Sequence, residues 1–191
     1  MIFKGGVFLL AVMFLSGCSL LSEKPGEPYR SQDMRVLQQQ QQQQWYFEGR
    51  LALADEKDSF SASISWRHRS GRDDIELSGP LAQGKLMITV EADFVAVDDG
   101  DNRKEFSGPA EEVLAEQLGV AIPVSALRYW VLGLPDPEQS FVEQVDGFFQ
   151  SGWRVGFREM QHVNALLLPR KINVEKDKTR IKLIVDQWDL S

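Results

Sequence analysis

From Trp45 onward the chain alternates. Phe47, Gly49, Leu51 and Leu53 take one phase, and Glu48, Arg50, Ala52 and Ala54 the other. Phe60, Ala62, Ile64 and Trp66 then alternate with Ser59, Ser61, Ser63 and Ser65. A period of two marks a strand that buries one face and wets the other. Arg72 to Ser78 sets Ile75 and Leu77 against Asp74 and Glu76, and Lys85 to Glu91 sets Leu86, Ile88 and Val90 against Lys85, Met87 and Thr89. Phe94 to Asp98 and Arg103 to Ser107 flank Asp98-Asp99-Gly100-Asp101-Asn102, which has hairpin-turn chemistry. Six antiparallel strands in succession are predicted: a meander.

Residues 107 to 133 change the period. Ser107, Pro109, Glu111 and Glu112 are helix-start residues, Val113, Leu114, Gln117 and Leu118 follow at helical spacing, and Gly119 is a stop. Pro123 and Ser125 open a second short helix through Leu127 and Trp130 to Gly133. Strands return at Phe141 to Val145, at Trp153-Val155-Phe157, and in a last hairpin of Pro169 to Glu175 and Arg180 to Trp188. About ten strands and two central helices predict an α+β domain, its sheet covered on one face by the helices.

The first 44 residues follow neither period. Lys4, the apolar run Val7 to Leu15 and the small pair Ser16-Gly17 lead into Cys18, the sole cysteine. This is a lipoprotein signal peptide, residues 1–17, whose cleavage leaves a lipid-modified Cys18 as the N-terminus. The run is too short to span a bilayer, which takes roughly 20 apolar residues, and Cys18 has no second cysteine to pair with. The residue after it is Ser19, not aspartate, so the expected destination is the periplasmic face of the outer membrane. Residues 18–30, with Pro25, Gly26 and Pro28, read as a tether. Ser31 to Gln44, which ends in seven glutamines, reads as a first helix of the domain spanning 31–191 or as a disordered linker.

Charge narrows the partners. The chain carries a formal −7, and loss of Lys4 makes the mature domain more acidic. Such a domain is a poor nucleic-acid binder and is repelled by anionic lipid, so its lipid anchor is what holds it at a membrane. It is read as a monomer that needs no cofactor and no metal.

No catalytic constellation emerges. Gly79 to Leu86 matches a phosphate-binding loop as far as Lys85, but Leu86 stands where the magnesium-binding hydroxyl belongs, and a strand follows. His68 and His162 have no second ligand nearby and read as surface residues; Asp73-Asp74 and Asp98-Asp99-Asp101 read as solvated turn acids. Two features stay open. Leu81, at the tip of the loop Ser78 to Gly84, either tucks into the core or stands out as an apolar finger for a membrane or partner. The five tryptophans, Trp45, Trp66, Trp130, Trp153 and Trp188, either pack a core or line a ligand cavity.

The stretch Ile122 to Pro135 (IPVSALRYWVLGLP), with Trp45 to Leu53, Trp66, the Gly79-Pro80-Leu81 loop, Trp153 and Ile181 to Trp188, resembles the LolB family of outer-membrane lipoprotein receptors. The glutamine run and Ala82-Gln83-Gly84 depart from the family pattern. The resemblance implies an antiparallel sheet curled into an incomplete, half-open β-barrel, a helical lid, and an apolar cavity for acyl chains. It implies lipoprotein cargo taken from a LolA-like periplasmic carrier and released into outer-membrane lipid, with Gly79, Pro80 and Leu81 as the membrane-insertion loop. On that reading Phe60, Ile64, Trp66, Ile75, Leu77, Leu86 and Ile88 face the cavity from the first strands. Trp153, Val155, Phe157 and Leu183 face it from the last ones, and Leu127, Trp130 and Val131 from the lid. The rival expectations are an anchored scaffold of an envelope complex, with a solid core, and a carboxylate hydrolase.

Overall fold

Every strand pairs antiparallel with its neighbour in one eleven-stranded sheet. The computed structural model describes residues 44–79 and 84–190. The signal peptide, Cys18, the tether, the helix expected before residue 44 and Leu81 lie outside them, while Gln44 itself begins a strand. The strands are β1 (Gln44–Ala54), β2 (Ser59–Arg69), β3 (Arg72–Ser78), β4 (Lys85–Glu91), β5 (Phe94–Asp98) and β6 (Arg103–Ser107) before the helices. After α1 (Ala110–Leu118) and α2 (Val124–Trp130) come β7 (Phe141–Gln144), β8 (Gly147–Gln150), β9 (Trp153–Val163), β10 (Leu166–Lys176) and β11 (Thr179–Asp189). The spatial order runs β6-β5-β4-β3-β2-β1-β11-β10-β9-β8-β7. The last strand thus joins the two meanders by pairing with the first, and the edges β6 and β7 leave the barrel unclosed.

The six-strand meander forms as the alternation predicts. The strand absent from the sequence reading is β8, Gly-Phe-Phe-Gln, whose four residues hold too little alternation to register. Phe148 is fully buried and Phe149 exposed, so the period of two is present but brief.

α1 ends where Gly119 turns left-handed, φ +74°, and donates its N–H to the Ala115 carbonyl. The Glu111 carboxylate reaches across from α1 to accept the Ser125 N–H at 2.9 Å, occupying a free donor in the first turn of α2. The helices cover one face of the sheet. The opposite face carries the serines of β2 and an ion pair between the central strands, in which the Arg50 guanidinium forks onto Asp186 at 2.9 and 3.0 Å.

Hydrogen bonds from Arg50 hold the Asp186 carboxyl below its ordinary value of 3.8, and Arg72 does the same for Asp74. A carboxyl lowered by folding adds stability above its unfolded pKa and loses it as pH falls through the folded one. The urea midpoint is therefore expected to hold from pH 7 to about 5 and to drop below about pH 4. The Arg50→Gln variant should begin lower and fall less steeply; an equal acid slope would assign the effect to other groups.

Candidate apolar binding cavity

The inward residues of the central strands do not close solidly on the helices. Leu51 and Leu53 of β1, Ile64 and Trp66 of β2, Ile75 and Leu77 of β3, and Ile88 of β4 wall one side of a cavity. Ile172 and Val174 of β10 and Ile181 and Leu183 of β11 wall the other. Leu114, Ile122, Val124 and Leu127, from the helices and their link, roof it. The wall is apolar throughout and the space is about 50 Å³. A cavity of about 150 Å³ is what it takes to hold benzene, so this one is a seam that must widen for any chain to enter.

Ile64, Trp66, Ile75, Leu77, Ile88, Leu127 and Leu183 thus lie together on the cavity wall. Others expected there are elsewhere. Phe60 has the inward phase but sits opposite Leu53 near the end of β2, 41% exposed. Leu86 is half-buried at the same end. Trp130, Val131, Trp153, Val155 and Phe157 belong to the core beside the cavity, Val155 and Phe157 opposite the wall residues Val174 and Ile172, where Phe148 has its ring 6.3 Å from Trp130 and 5.8 Å from Phe157. Gln150 fixes that cluster by accepting the Trp130 indole N–H at 2.8 Å. The residues the sequence reading passed over, Leu51, Leu53, Leu114, Ile122, Val124, Ile172, Val174 and Ile181, carried their signal in strand phase and helix spacing.

At the edge of the apolar wall lies a buried charge. Asp73 is fully buried and its Oδ1 accepts the Trp66 indole N–H at 2.9 Å, with His68 Nδ1 2.8 Å away. Arg128 of α2 lies 2.8 Å from Oδ2. Both expectations for these residues are corrected: Asp73 is not a turn acid and His68 is not on the surface. Asp73 is the second residue of β3, in phase with Ile75 and Leu77, and it pairs in register with His68, in phase with Ile64 and Trp66. The signal was there in the alternation, masked by the adjacent Asp74 and the flanking arginines. His162 is exposed. Lys85 opens β4 and pairs with Glu76 at 2.8 Å, a strand position that offers no phosphate cradle. Among the described residues no group of three or more His, Cys, Asp or Glu side chains could hold a metal ion. No described helix is long and apolar enough to cross a membrane.

Residues 43–188 match the model of the family described as outer membrane lipoprotein LolB. The chain belongs to the LolB family. The LolB proteins of Nitrosococcus oceani and Chromohalobacter salexigens are similar to it at 30% and 31% identity, over 96% and 95% of this chain and 96% and 88% of theirs. All of these relatives are named outer-membrane lipoproteins, in keeping with the lipid-anchored, outer-membrane location read from Cys18 and Ser19. A solved LolA superfamily protein from Nitrosomonas europaea shares the fold with a TM-score of 0.50 at 6% identity, covering 84% of this chain and 93% of its own. The half-open sheet under a helical cover is thus a LolB-family domain whose fold that protein shares.

Proposed function

We propose that this LolB-family lipoprotein receives acylated lipoproteins from a LolA-like carrier, shelters their acyl chains beneath α1 and α2, and releases them into outer-membrane lipid. The observation that carries the reading is the wholly apolar seam between the sheet and the two helices. Three acyl chains of about 15 methylenes, at about 0.8 kcal/mol each, cost on the order of 35 kcal/mol to expose to water. Transfer must therefore run from cavity to cavity to bilayer, driven by differential affinity at each step. The Leu81 loop leaves β3 after Ser78, one residue past the cavity residue Leu77, and Ser78 pairs with Lys85 across its base. A membrane-seeking leucine there would meet lipid at the cavity's own end.

The test uses a soluble form with Cys18 replaced by serine, mixed with carrier loaded with lipoprotein. Cargo is expected to move and stay dispersed without detergent or nucleotide. Leu81→Glu in the anchored protein should accept cargo normally but insert it into liposomes about tenfold more slowly. A folded domain that takes no cargo would favour the scaffold reading, for which Val142 and Val145, 61% and 93% exposed beside Phe149, offer an apolar surface.

A further inference from the structure

We propose that the ion pair between Asp73 and Arg128 is a latch that holds α2 over the apolar cavity, and that chains enter when Arg128 lets go. This rests on the acyl-binding reading above. α2 is fixed at both ends, at its start by Glu111 on the Ser125 N–H and at its finish by Gln150 on the Trp130 indole. Between them, consecutive residues do different work. Leu127 roofs the cavity, and Arg128 reaches Oδ2 of Asp73 on β3.

The two halves of the latch are built unequally. Asp73 is held on the sheet by Trp66 and His68, so its carboxylate keeps two partners and its position when Arg128 departs. Arg128 is the loose half: its side chain is 20% exposed against none for Asp73, and the contact is an ion pair alone, Arg128 Nε and Asp73 Oδ2 both being buried without a hydrogen-bond partner. It borders a cleft of about 190 Å³ lined by Trp45, His68, Gly71, Tyr129 and Leu132. Release therefore needs only a swing of the guanidinium into that cleft, where water replaces the carboxylate. A carboxylate left buried without its cation is costly, and the Trp66 and His68 bonds that Asp73 keeps are what limit that cost when Arg128 takes up water. The latch therefore favours the closed lid and opens only when something else offsets the loss.

Trp66 supplies the coupling. Its ring is part of the cavity wall and its indole N–H is bonded to Asp73 Oδ1. An acyl chain that displaces the ring pulls on the carboxylate that holds the lid, so occupancy and release act on one side chain.

The experiment is amide hydrogen exchange on the folded, soluble domain, together with stopped-flow uptake of a fluorescent palmitate. In Arg128→Gln the amides of Leu127 and Val131 should exchange about tenfold faster relative to those of β10, and the probe should enter about tenfold faster. Equal acceleration of lid and sheet amides, or an unchanged entry rate, would overturn the latch. If a lone Asp73 carboxylate unfolds the single variant, Asp73→Asn with Arg128→Gln provides a neutral pair of similar shape. Fast lid exchange in that double variant supports the proposal; wild-type exchange defeats it. A wild-type domain that takes up no probe would instead reject the acyl-binding reading, and the role given to the latch with it.

Discussion

Alanine at position 49 is expected to cost the domain more than about 4 kcal/mol, enough to remove most of a typical folding margin of about 5–15 kcal/mol. A Cβ on Gly49 would lie 2.1 Å from the Ile184 carbonyl oxygen and 3.2 Å from the Val185 Cα, and both are backbone. A flexible side chain could yield; a strand in the middle of a sheet cannot without giving up its ladder. The site is where the β1–β11 register shifts, Glu48 facing Gln187 and Gly49 facing Val185, so Asp186 is left as the extra residue. This pairing is also the join between the two meanders, and relaxation there would move both cavity walls. Urea denaturation followed by tryptophan fluorescence measures the loss. A drop below about 1 kcal/mol would show that the bulge can open locally.

The parts of this architecture that were legible in sequence are those with long periods. β2 shows serine against apolar residues over most of its length, and one buried face allows only one phase, so strand and orientation follow together. β8 has four residues and two adjacent phenylalanines of opposite fate, which alternation cannot resolve. Periodicity gives the inward face but not what the face meets. Trp66 and Trp130 are both inward and buried, yet one walls a cavity and the other packs against Phe148 and Trp153, because only the end of α2 reaches β8 and β9. Asp73 failed for another reason. An aspartate beside arginine and a glycine turn reads as solvated, and its burial is made tolerable by Trp66, His68 and Arg128, the last 55 positions away. Periodicity left core and cavity open and the resemblance implied a cavity; at that place the structure has a narrow apolar seam of about 50 Å³.

Gln150→Leu is expected to lower stability by about 3–5 kcal/mol and the melting temperature by about 10 °C, because one amide serves four backbone and side-chain groups. Its Oε1 accepts the Trp130 indole N–H and the Asp136 N–H, each at 2.8 Å. Its Nε2 donates to the Asp136 carbonyl at 2.9 Å and the Gln139 carbonyl at 3.0 Å. The side chain is 1% exposed, so leucine keeps the volume while water has little access to the abandoned donors and acceptors. Gln150→Glu separates packing from bonding. It retains the acceptor for Trp130 but turns an oxygen toward two carbonyls that need donors, so at neutral pH it should be at least as damaging as leucine. A glutamate variant as stable as wild type would mean the donated bonds contribute nothing, and the loop from α2 to β7 is held by the accepted bonds and Trp130 packing. The expected loss would instead establish Gln150 as the fixed end of the lid. α2 would then be anchored at Trp130 as it is by Glu111 at its start, leaving Leu127 over the cavity to depend on the Arg128 contact between the two anchors.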